Sequence, residues 1–295
     1  MNASPLIANV DRASAAAAAL GEGPLWDQAT QTLLWVDIDR GTLHRLHTAS
    51  GRNSTVIHLD RPLSAAAIRE KGGFVLAVLE GFALVEPDGS IHVIASLPPH
   101  SRQRMNDGKC DPQGRFLAGS LSLDEDRRGA AALYQLGRDK TVSVVGRDMS
   151  LSNGLGWSPD EQVLYLVDSA EGTVTAYFYD QERGTTSRPN VIIAIDPHDG
   201  APDGLAVDEE GSLWIAICGG SSVRRYTPDG RLTGQLHVPT PLVTSCAFGG
   251  ESLDRLFITT AAPTSTAPPG ETTGAGDIYT AQLDVRGLQP TRYSG

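Results

Sequence analysis

Four oxygen-bearing side chains stand in similar surroundings at wide intervals along this sequence. Asn153 and Asp203 each precede a glycine, in the tracts LSNGLGWSPD and APDGLAVDEE, and Asn106 precedes Asp-Gly in MNDGKCDPQG. Asn-Gly and Asp-Gly pairs are typical of hairpin turns, where the glycine supplies a positive φ. Glu22 precedes a glycine in ALGEGPLWD, and glutamate is a poor turn former. Turn formation and a chemical role are therefore both open interpretations, and Glu22 favours the second.

Three of these side chains form a set that suits a hard divalent cation. Glu22, Asn153 and Asp203 offer two carboxylates and one amide oxygen, without thiolate or imidazole. An all-oxygen set favours Ca²⁺ first, with Mg²⁺, Mn²⁺, Zn²⁺ and Fe²⁺ as alternatives. Three protein ligands leave coordination positions for water or a substrate oxygen, which is typical of a catalytic metal site. The sequence therefore predicts one divalent cation.

The elements that must bring these residues together are short strands that recur along the chain. Strand-like runs of apolar, β-branched and aromatic residues alternate with turns rich in Gly, Pro and Asp. Six such units occupy residues 24–60, 64–97, 108–145, 154–195, 201–238 and the segment from 245 onward. Four strands in a repeat of roughly 40–50 residues are typical of a β-propeller blade. We therefore predict an all-β fold, a six-bladed β-propeller with four antiparallel strands per blade, as a single domain over residues 1–295.

A β-sandwich and a β-helix are the alternative all-β architectures. A sandwich lacks the regular recurrence, and a β-helix needs a much shorter repeat. The sixth unit shows only the strands SCAFG, RLFITT and DIYTAQL. A strand from residues near 5–12 would complete it, close the ring and hide both sheet edges.

A closed ring would bring distant residues to one place. The first strand of each blade lines the central channel of a propeller, so the residues that open these strands lie at the channel mouth. We expect this position, immediately before the inner strands, for Glu22, Asn106, Asn153 and Asp203.

Composition excludes several classes of partner. The formal net charge of −11 argues against nucleic acid and anionic membrane surfaces, because both are polyanionic. No run of about 18 apolar residues occurs, so no membrane span is predicted. The alanine-rich N-terminus lacks a preceding basic region, so no secretory leader is expected. Three widely spaced cysteines without a CxxC pair indicate buried thiols in a reducing compartment, and we expect a cytoplasmic protein.

Six motifs in combination resemble the gluconolactonase and regucalcin (senescence marker protein) family of six-bladed β-propeller sugar lactonases. They are GEGPLW (21–26), LLWVDI (33–38), RMNDGKCDPQGRFLAGS (104–120), LSNGLGWSPD (151–160), LYLVDS (164–169) and PDGLAVDEEGSLWIA (202–216). The resemblance extends over nearly the whole chain. It implies a metal-dependent lactonase that hydrolyses a sugar lactone to the aldonic acid.

The resemblance also implies roles for individual residues. Glu22, Asn153 and Asp203 would hold the cation, and Asp203 would also be the general base. Arg104 and Asn106 would contact the substrate. Asp124 would touch sugar hydroxyls from a position where the family often has the longer glutamate.

Other functions remain open. Related propellers use a similar metal as esterases or phosphotriesterases, and the regucalcin branch suggests a non-enzymatic calcium-binding regulator. A protein-binding scaffold is a further alternative. No serine lies in a GxSxG motif, which argues against an acyl-enzyme hydrolase.

The expected partner is a small sugar lactone, with glucono-, xylono- and arabinonolactone as candidates. Loops 98–104, 120–130 and 261–275 would set the specificity. We expect a monomer or a weak homo-oligomer.

Overall fold

The alternation of strand-forming runs and turn residues produces an all-β structure. The computed structural model describes residues 8–97, 102–124, 128–263 and 274–295. Within these ranges the strands form six four-stranded antiparallel sheets, which confirms the six-bladed propeller. The helical structure in the same ranges is one 3-10 turn, η1 (Pro197–Asp199). No helix in the described part of the chain is long and apolar enough to cross a membrane.

The strand bounds, in chain order, are as follows: β1 (Val10–Ser14), β2 (Gly21–Asp27), β3 (Thr32–Asp37), β4 (Thr42–His47), β5 (Arg52–His58), β6 (Leu63–Ile68), β7 (Phe74–Val78), β8 (Gly81–Val85), β9 (Ile91–Ser96), β10 (Gln103–Cys110), β11 (Phe116–Ser122), β12 (Ala131–Leu136), β13 (Val142–Met149), β14 (Ser152–Trp157), β15 (Val163–Asp168), β16 (Thr173–Asp180), β17 (Thr185–Ala194), β18 (Ala201–Val207), β19 (Leu213–Cys218), β20 (Ser222–Tyr226), β21 (Leu232–His237), β22 (Val243–Gly249), β23 (Arg255–Thr260) and β24 (Ile278–Gln282).

The blades follow the chain, and each runs from an inner strand to an outer strand. Blades one to five are β2–β5, β6–β9, β10–β13, β14–β17 and β18–β21. Blade six has the order β1-β24-β23-β22, and Val10 of β1 lies opposite Ala281 of β24. The predicted closure by an N-terminal strand is confirmed, with the strand at Val10–Ser14 rather than at 5–12. Residues 1–7 lie outside the described residues.

The inner strands carry β-bulges at positions where turn formation was one of the two interpretations. In blades three, four and five, two consecutive residues oppose a single residue of the second strand, and Asn106, Asn153 and Asp203 each begin such a pair. These residues therefore lie within β10, β14 and β18, and Glu22 lies within β2. The expectation that the four lie immediately before the inner strands is wrong. Gly154 and Gly204, which follow in two of the bulges, do not have positive φ. Bulges redirect side chains and are frequent beside functional sites.

Close packing of neighbouring inner strands explains why two bulges need glycine. A Cβ atom at Gly154 would lie 2.5 Å from Asp203 O and 2.5 Å from Leu205 N. A Cβ atom at Gly204 would collide with the side chain of Ser245. Glycine here permits close approach of one blade to the next rather than a left-handed turn.

The C-terminal segment, residues 283–295, crosses the turns that follow several inner strands. Tyr293 N donates to Ile68 O at 2.8 Å, and Ser294 N donates to Gly114 O at 3.0 Å. The Tyr293 side chain is fully buried. The segment therefore ties blades two and three together at the end of the channel opposite the starts of the inner strands.

Candidate active site

The bulged inner strands bring the predicted polar residues together at one end of the channel. Glu22 on β2, Asn106 on β10, Asn153 on β14 and Asp203 on β18 are each at most 9% exposed. The charge of Asp203 raises the pKa of Glu22, and the side chain of Asn153 lowers the pKa of Asp203, so these groups are neighbours. Asn106 Nδ2 donates to Ser152 O at 3.1 Å, beside Asn153. Residues that are far apart in sequence, such as Glu22 and Asp203, are thus brought close together.

Aspartates at the ends of second strands hold the segments that lead into the site. Asp37, the last residue of β3, accepts hydrogen bonds from Ala19 N at 2.9 Å and Leu20 N at 3.1 Å. Asp168, the last residue of β15, accepts from the backbone of residues 150 and 151 at 2.8 and 3.0 Å. Each carboxylate accepts hydrogen bonds from two backbone N–H groups that are not paired within a strand ladder. The segments that precede β2 and β14 are therefore held by the same kind of carboxylate–backbone contact.

Two oxygens of the predicted metal set lack the hydrogen bonds that buried acceptors usually make. Asn153 Nδ2 donates to Ser169 Oγ at 3.0 Å, and Asn153 Oδ1 has no partner among the described residues. Asp203 Oδ1 is likewise buried without a partner within that part of the chain. Glu22 Oε2 accepts from Gly23 N at 2.9 Å. Buried acceptors without donors are rare and point to a missing ion or water, so this oxygen set fits a hard divalent cation.

The electrostatics of the two carboxyl groups agree with that fit. Burial raises the pKa of Glu22 well above its ordinary value, and the charges of Asp203 and Asp107 add to the effect, with Arg104 opposing it. Burial and the charge of Asp107 raise the pKa of Asp203, and the Asn153 side chain opposes them. A divalent cation beside both groups would offset their repulsion and restore the charged forms.

The candidate metal set contains two carboxylates and one amide. Among the described residues, no group of three or more His, Cys, Asp or Glu side chains is arranged to hold a metal ion.

Arg104 and Asn106 form a polar pair beside the carboxylates. Arg104 Nη1 donates to Asn106 Oδ1 at 3.0 Å and to Met105 O at 2.8 Å. Arg104 is half-buried, and its charge lowers the pKa of Glu22. The pair offers a guanidinium and an amide, which are suitable donors for a carbonyl or hydroxyl oxygen.

Asp124 lies at the exposed rim of blade three. Its Oδ1 lies 2.5 Å from Arg102 Nε, and 49% of its side chain is exposed. This ion pair does not test a substrate contact, so the role of Asp124 stays a prediction. Parts of the predicted specificity loops, 98–101, 125–127 and 264–273, lie outside the described residues.

Sequence reasoning missed two charged residues of the channel, Asp107 and Lys109. Asp107 occupies the second bulge position, where blades four and five carry Gly154 and Gly204. Lys109 Nζ donates to Leu205 O of blade five at 2.9 Å. Burial raises the pKa of Asp107 and lowers that of Lys109. The tract NDGK held the signal, since charged residues are unusual in a strand that lines a closed channel.

Comparisons relate the chain to known proteins. A family model described as "SMP-30/Gluconolactonase/LRE-like region" matches residues 20–262. A Bacillus subtilis protein provisionally assigned as a sugar lactone lactonase is 36% identical over 282 residues, which cover 94% of this chain and 96% of that protein. Regucalcin from Sus scrofa is 35% identical over 285 residues, covering 93% and 95%. The structure of a calcium-binding protein, regucalcin from Agrobacterium tumefaciens, matches with a TM-score of 0.87 and 28% identity, covering 94% and 95%.

Proposed function

We propose that this chain, which belongs to the SMP-30/gluconolactonase/LRE-like family, hydrolyses a small sugar lactone to the aldonic acid with the help of one divalent cation. The observation that carries the proposal is a pair of buried oxygens beside Glu22, Asn153 Oδ1 and Asp203 Oδ1, that have no hydrogen-bond partner within the described part of the chain. The Arg104–Asn106 pair supports an enzyme, because neither the ring nor a cation requires it. The name of the Bacillus subtilis relative supports the substrate class.

Glu22, Asn153 and Asp203 would hold the cation. Ca²⁺ is the preferred ion because all of the ligand atoms are oxygens, and the calcium-binding description of the Agrobacterium tumefaciens structure supports this choice. When bound, the cation would polarise the lactone carbonyl and acidify a water molecule.

Asp203 would move the proton of the attacking water. The water oxygen bonds to the lactone carbonyl carbon while the Asp203 carboxylate accepts the proton. The ring C–O bond then breaks, its electron pair goes to the ring oxygen, and Asp203 returns the proton to that oxygen. The product is the open-chain hydroxy acid, and no other reactant is needed.

Arg104 and Asn106 would orient the substrate. The Arg104 guanidinium would donate to the carbonyl oxygen as negative charge develops there. Asn106 is held from both sides, by Arg104 and by Ser152 O, so its amide is preorganised for a sugar hydroxyl. Fixed donors of this kind lower the barrier by holding the lactone in a reactive position.

An assay of aldonolactones with and without chelator tests the proposal. Glucono-, xylono- and arabinonolactone form the panel, and aryl esters and phosphotriesters are the comparison. We expect hydrolysis of at least one lactone, its loss on chelation and its return when Ca²⁺ is added. Turnover of the aryl esters or phosphotriesters alone would contradict the sugar-lactone proposal and support a metal-dependent esterase.

Calcium binding without catalysis is the second candidate function. The relatives named regucalcin and the calcium-binding description of one solved structure favour it. Calorimetric Ca²⁺ binding without turnover of any lactone would support this regulator. Lactone turnover that depends on Glu22 and Asp203 would exclude it as the sole function.

Location and assembly remain predictions. Cys110, Cys218 and Cys246 are unpaired, which supports the predicted reducing compartment and a cytoplasmic protein. Light scattering after size-exclusion chromatography measures whether the chain is a monomer or a weak homo-oligomer.

A further inference from the structure

A cavity lies at the end of the channel opposite the candidate active site. Its volume is about 320 Å³, at the lower end of the range of about 300–1,000 Å³ for small-molecule pockets. The later residues of all six inner strands line it, and residues 288–291 of the C-terminal segment cover it. The four polar residues of the candidate active site do not line it. It is therefore a separate space in the same channel.

The walls of this cavity are mostly apolar. Trp26, Trp157 and Phe248 contribute aromatic rings, and Leu25 and Ala247 contribute aliphatic surface. Ala247 belongs to an inner strand, is only half-buried and lines the cavity. Apolar walls favour an apolar ligand, since the water that they contact is poorly held and easily displaced.

Three charged residues line the cavity: Lys109, Asp107 and Glu161. The Lys109 ammonium has three donors, and within the described residues it donates to Leu205 O at 2.9 Å. One positive and two negative side chains give an anion no net attraction, and a cation would meet the ammonium. A neutral molecule with a hydrogen-bond acceptor satisfies Lys109 without adding a buried charge.

We propose that this cavity binds a compact, neutral, mostly apolar molecule that directs one carbonyl oxygen to the Lys109 ammonium. The apolar walls hold the body of the ligand, and Lys109 fixes its orientation. Leu288 on the rim is 37% exposed, so solvent reaches the cavity beside the C-terminal segment. The site shares no residue with the proposed metal and substrate set, so ligand binding here can be measured without lactone hydrolysis.

Three bicyclic probes of similar size test the ligand class in metal-free protein. Chromone is neutral and has one ketone oxygen, naphthalene has no acceptor, and chromone-2-carboxylate is an anion. Chromone contains no ester, so a lactonase cannot hydrolyse it. Titration calorimetry in the presence of chelator measures the three dissociation constants without any contribution from catalysis.

Variants locate the bound probe. Ala247→Leu fills the cavity, and we expect it to weaken chromone binding at least tenfold. Ala176→Leu, at a half-buried position of β16 outside the cavity, is the matched control and leaves binding unchanged. Lys109→Met removes the donor, and we expect chromone to bind about tenfold more weakly while naphthalene is unaffected. Circular dichroism verifies folding, and Ala66→Val replaces Ala247→Leu if that variant does not fold.

Four results would overturn the proposal. The first is no chromone binding at its solubility limit, and the second is chromone binding that Ala247→Leu does not weaken. The third is equal affinity for chromone and naphthalene, and the fourth is tighter binding of chromone-2-carboxylate than of chromone. Loss of lactone turnover in the separate assay would leave this result untouched, so the two proposals fail independently.

Discussion

Asp203 combines two proposed roles at the residue scale, cation ligand and proton acceptor. An Asp203→Asn change separates them, because an amide oxygen still coordinates a cation but does not accept a proton from water. We expect the lactone kcat to fall by about 10² to 10⁴, with measurable Ca²⁺ binding retained. Lactone kinetics beside calorimetric Ca²⁺ titration check both effects. Asp284→Asn, at an exposed position of the C-terminal segment, is the control.

Arg104→Ala is the complementary variant, which tests a substrate contact rather than a metal ligand. An arginine does not coordinate a cation, so this variant should lose kcat/KM and keep the Ca²⁺ affinity. Full activity in Asp203→Asn would remove Asp203 from proton transfer. Equal loss of Ca²⁺ affinity in Arg104→Ala would show that the change disturbs the fold at Asn106 rather than a substrate contact.

The raised pKa values of Glu22 and Asp203 predict an unusual pH dependence in the metal-free protein. Both folded-state values lie above the ordinary 4.5 and 3.8, so the folded state holds protons that the unfolded state releases. The contribution of these groups to stability is fully present below their ordinary pKa values. It is lost as the pH rises through their raised folded-state values.

Melting curves with chelator and with Ca²⁺, from acidic to neutral pH, measure this effect. The Ca²⁺-induced rise in Tm should grow with pH, because protons compete with the cation for the same oxygens. The difference between the two series isolates the site, since other titrating groups contribute to both. A Ca²⁺-induced shift that shrinks as the pH rises would contradict the assigned ligands. Glu22→Gln should flatten the dependence.

At the scale of the element, the bulged inner strand is the unit that builds the site. The bulge at Asn153-Gly154 brings an oxygen to the channel and lets β14 approach β18 closely. Gly154→Ala should lower the free energy of unfolding by about 1–3 kcal/mol or more, because the backbone of Asp203 and Leu205 leaves no space for Cβ. It should also weaken Ca²⁺ binding, since Asp203 would be displaced.

Gly146→Ala is the matched control for this change. Its Cβ would meet Leu133 Cβ at an ordinary 3.4 Å, and Gly146 does not have positive φ. Urea denaturation of both variants measures the difference. Equal stability of the two would show that the contact between neighbouring bulges does not explain the glycine.

The bulges also show where sequence reasoning succeeds and where it stops. Strand-forming runs and turn residues are local signals, so the six blades and the missing fourth strand of the last blade could be predicted. An Asn-Gly pair does not reveal whether its glycine permits a positive φ or close approach of another strand. That distinction depends on Ser245 and Asp203, which are remote in sequence from the glycines that they contact.

The same limit applies to Asp107 and Lys109. Asn106 was the residue of the NDGK tract that its spacing and the family resemblance singled out, and the two charged residues after it were not considered. The structure places them inside the channel, where Lys109 contacts blade five. The candidate ligands could be recognised from their residue types. The positions of Asp107 and Lys109 depend on how strands from different blades pack together, which the local sequence does not show.

At the scale of the whole molecule, the same inner strands carry the candidate metal set at one end of the channel and line the cavity at the other end. Glu22 and Gly23 illustrate this: Glu22 belongs to the candidate metal set, and the next residue lines the opposite cavity. Asp107 lies between the two, since it lines the cavity and its charge acts on Glu22 and Asp203. Ligands at the two ends would therefore influence each other through the charge of Asp107, and any such coupling must be reciprocal.

We expect closure of the ring to make these six blades one cooperative unit. Strand β1 covers the outer edge of β24, and Trp26 of blade one stacks on Phe257 of blade six with ring centroids 5.5 Å apart. Deleting residues 1–14 removes β1 and exposes an unpaired edge. We expect a single transition with Tm lowered by roughly 5–15 °C, together with a tendency to aggregate.

Deletion of residues 1–7 is the control, because it leaves Val10–Ser14 in place. This shorter deletion should melt like the full chain, both with and without Ca²⁺. Differential scanning calorimetry distinguishes a cooperative loss from local fraying, since fraying would leave the main transition unchanged. If removal of residues 1–14 left Tm unaltered, then the pairing of β1 with β24 would not contribute to ring closure. The stacking of Trp26 on Phe257 and the C-terminal segment would then have to hold blade six in place.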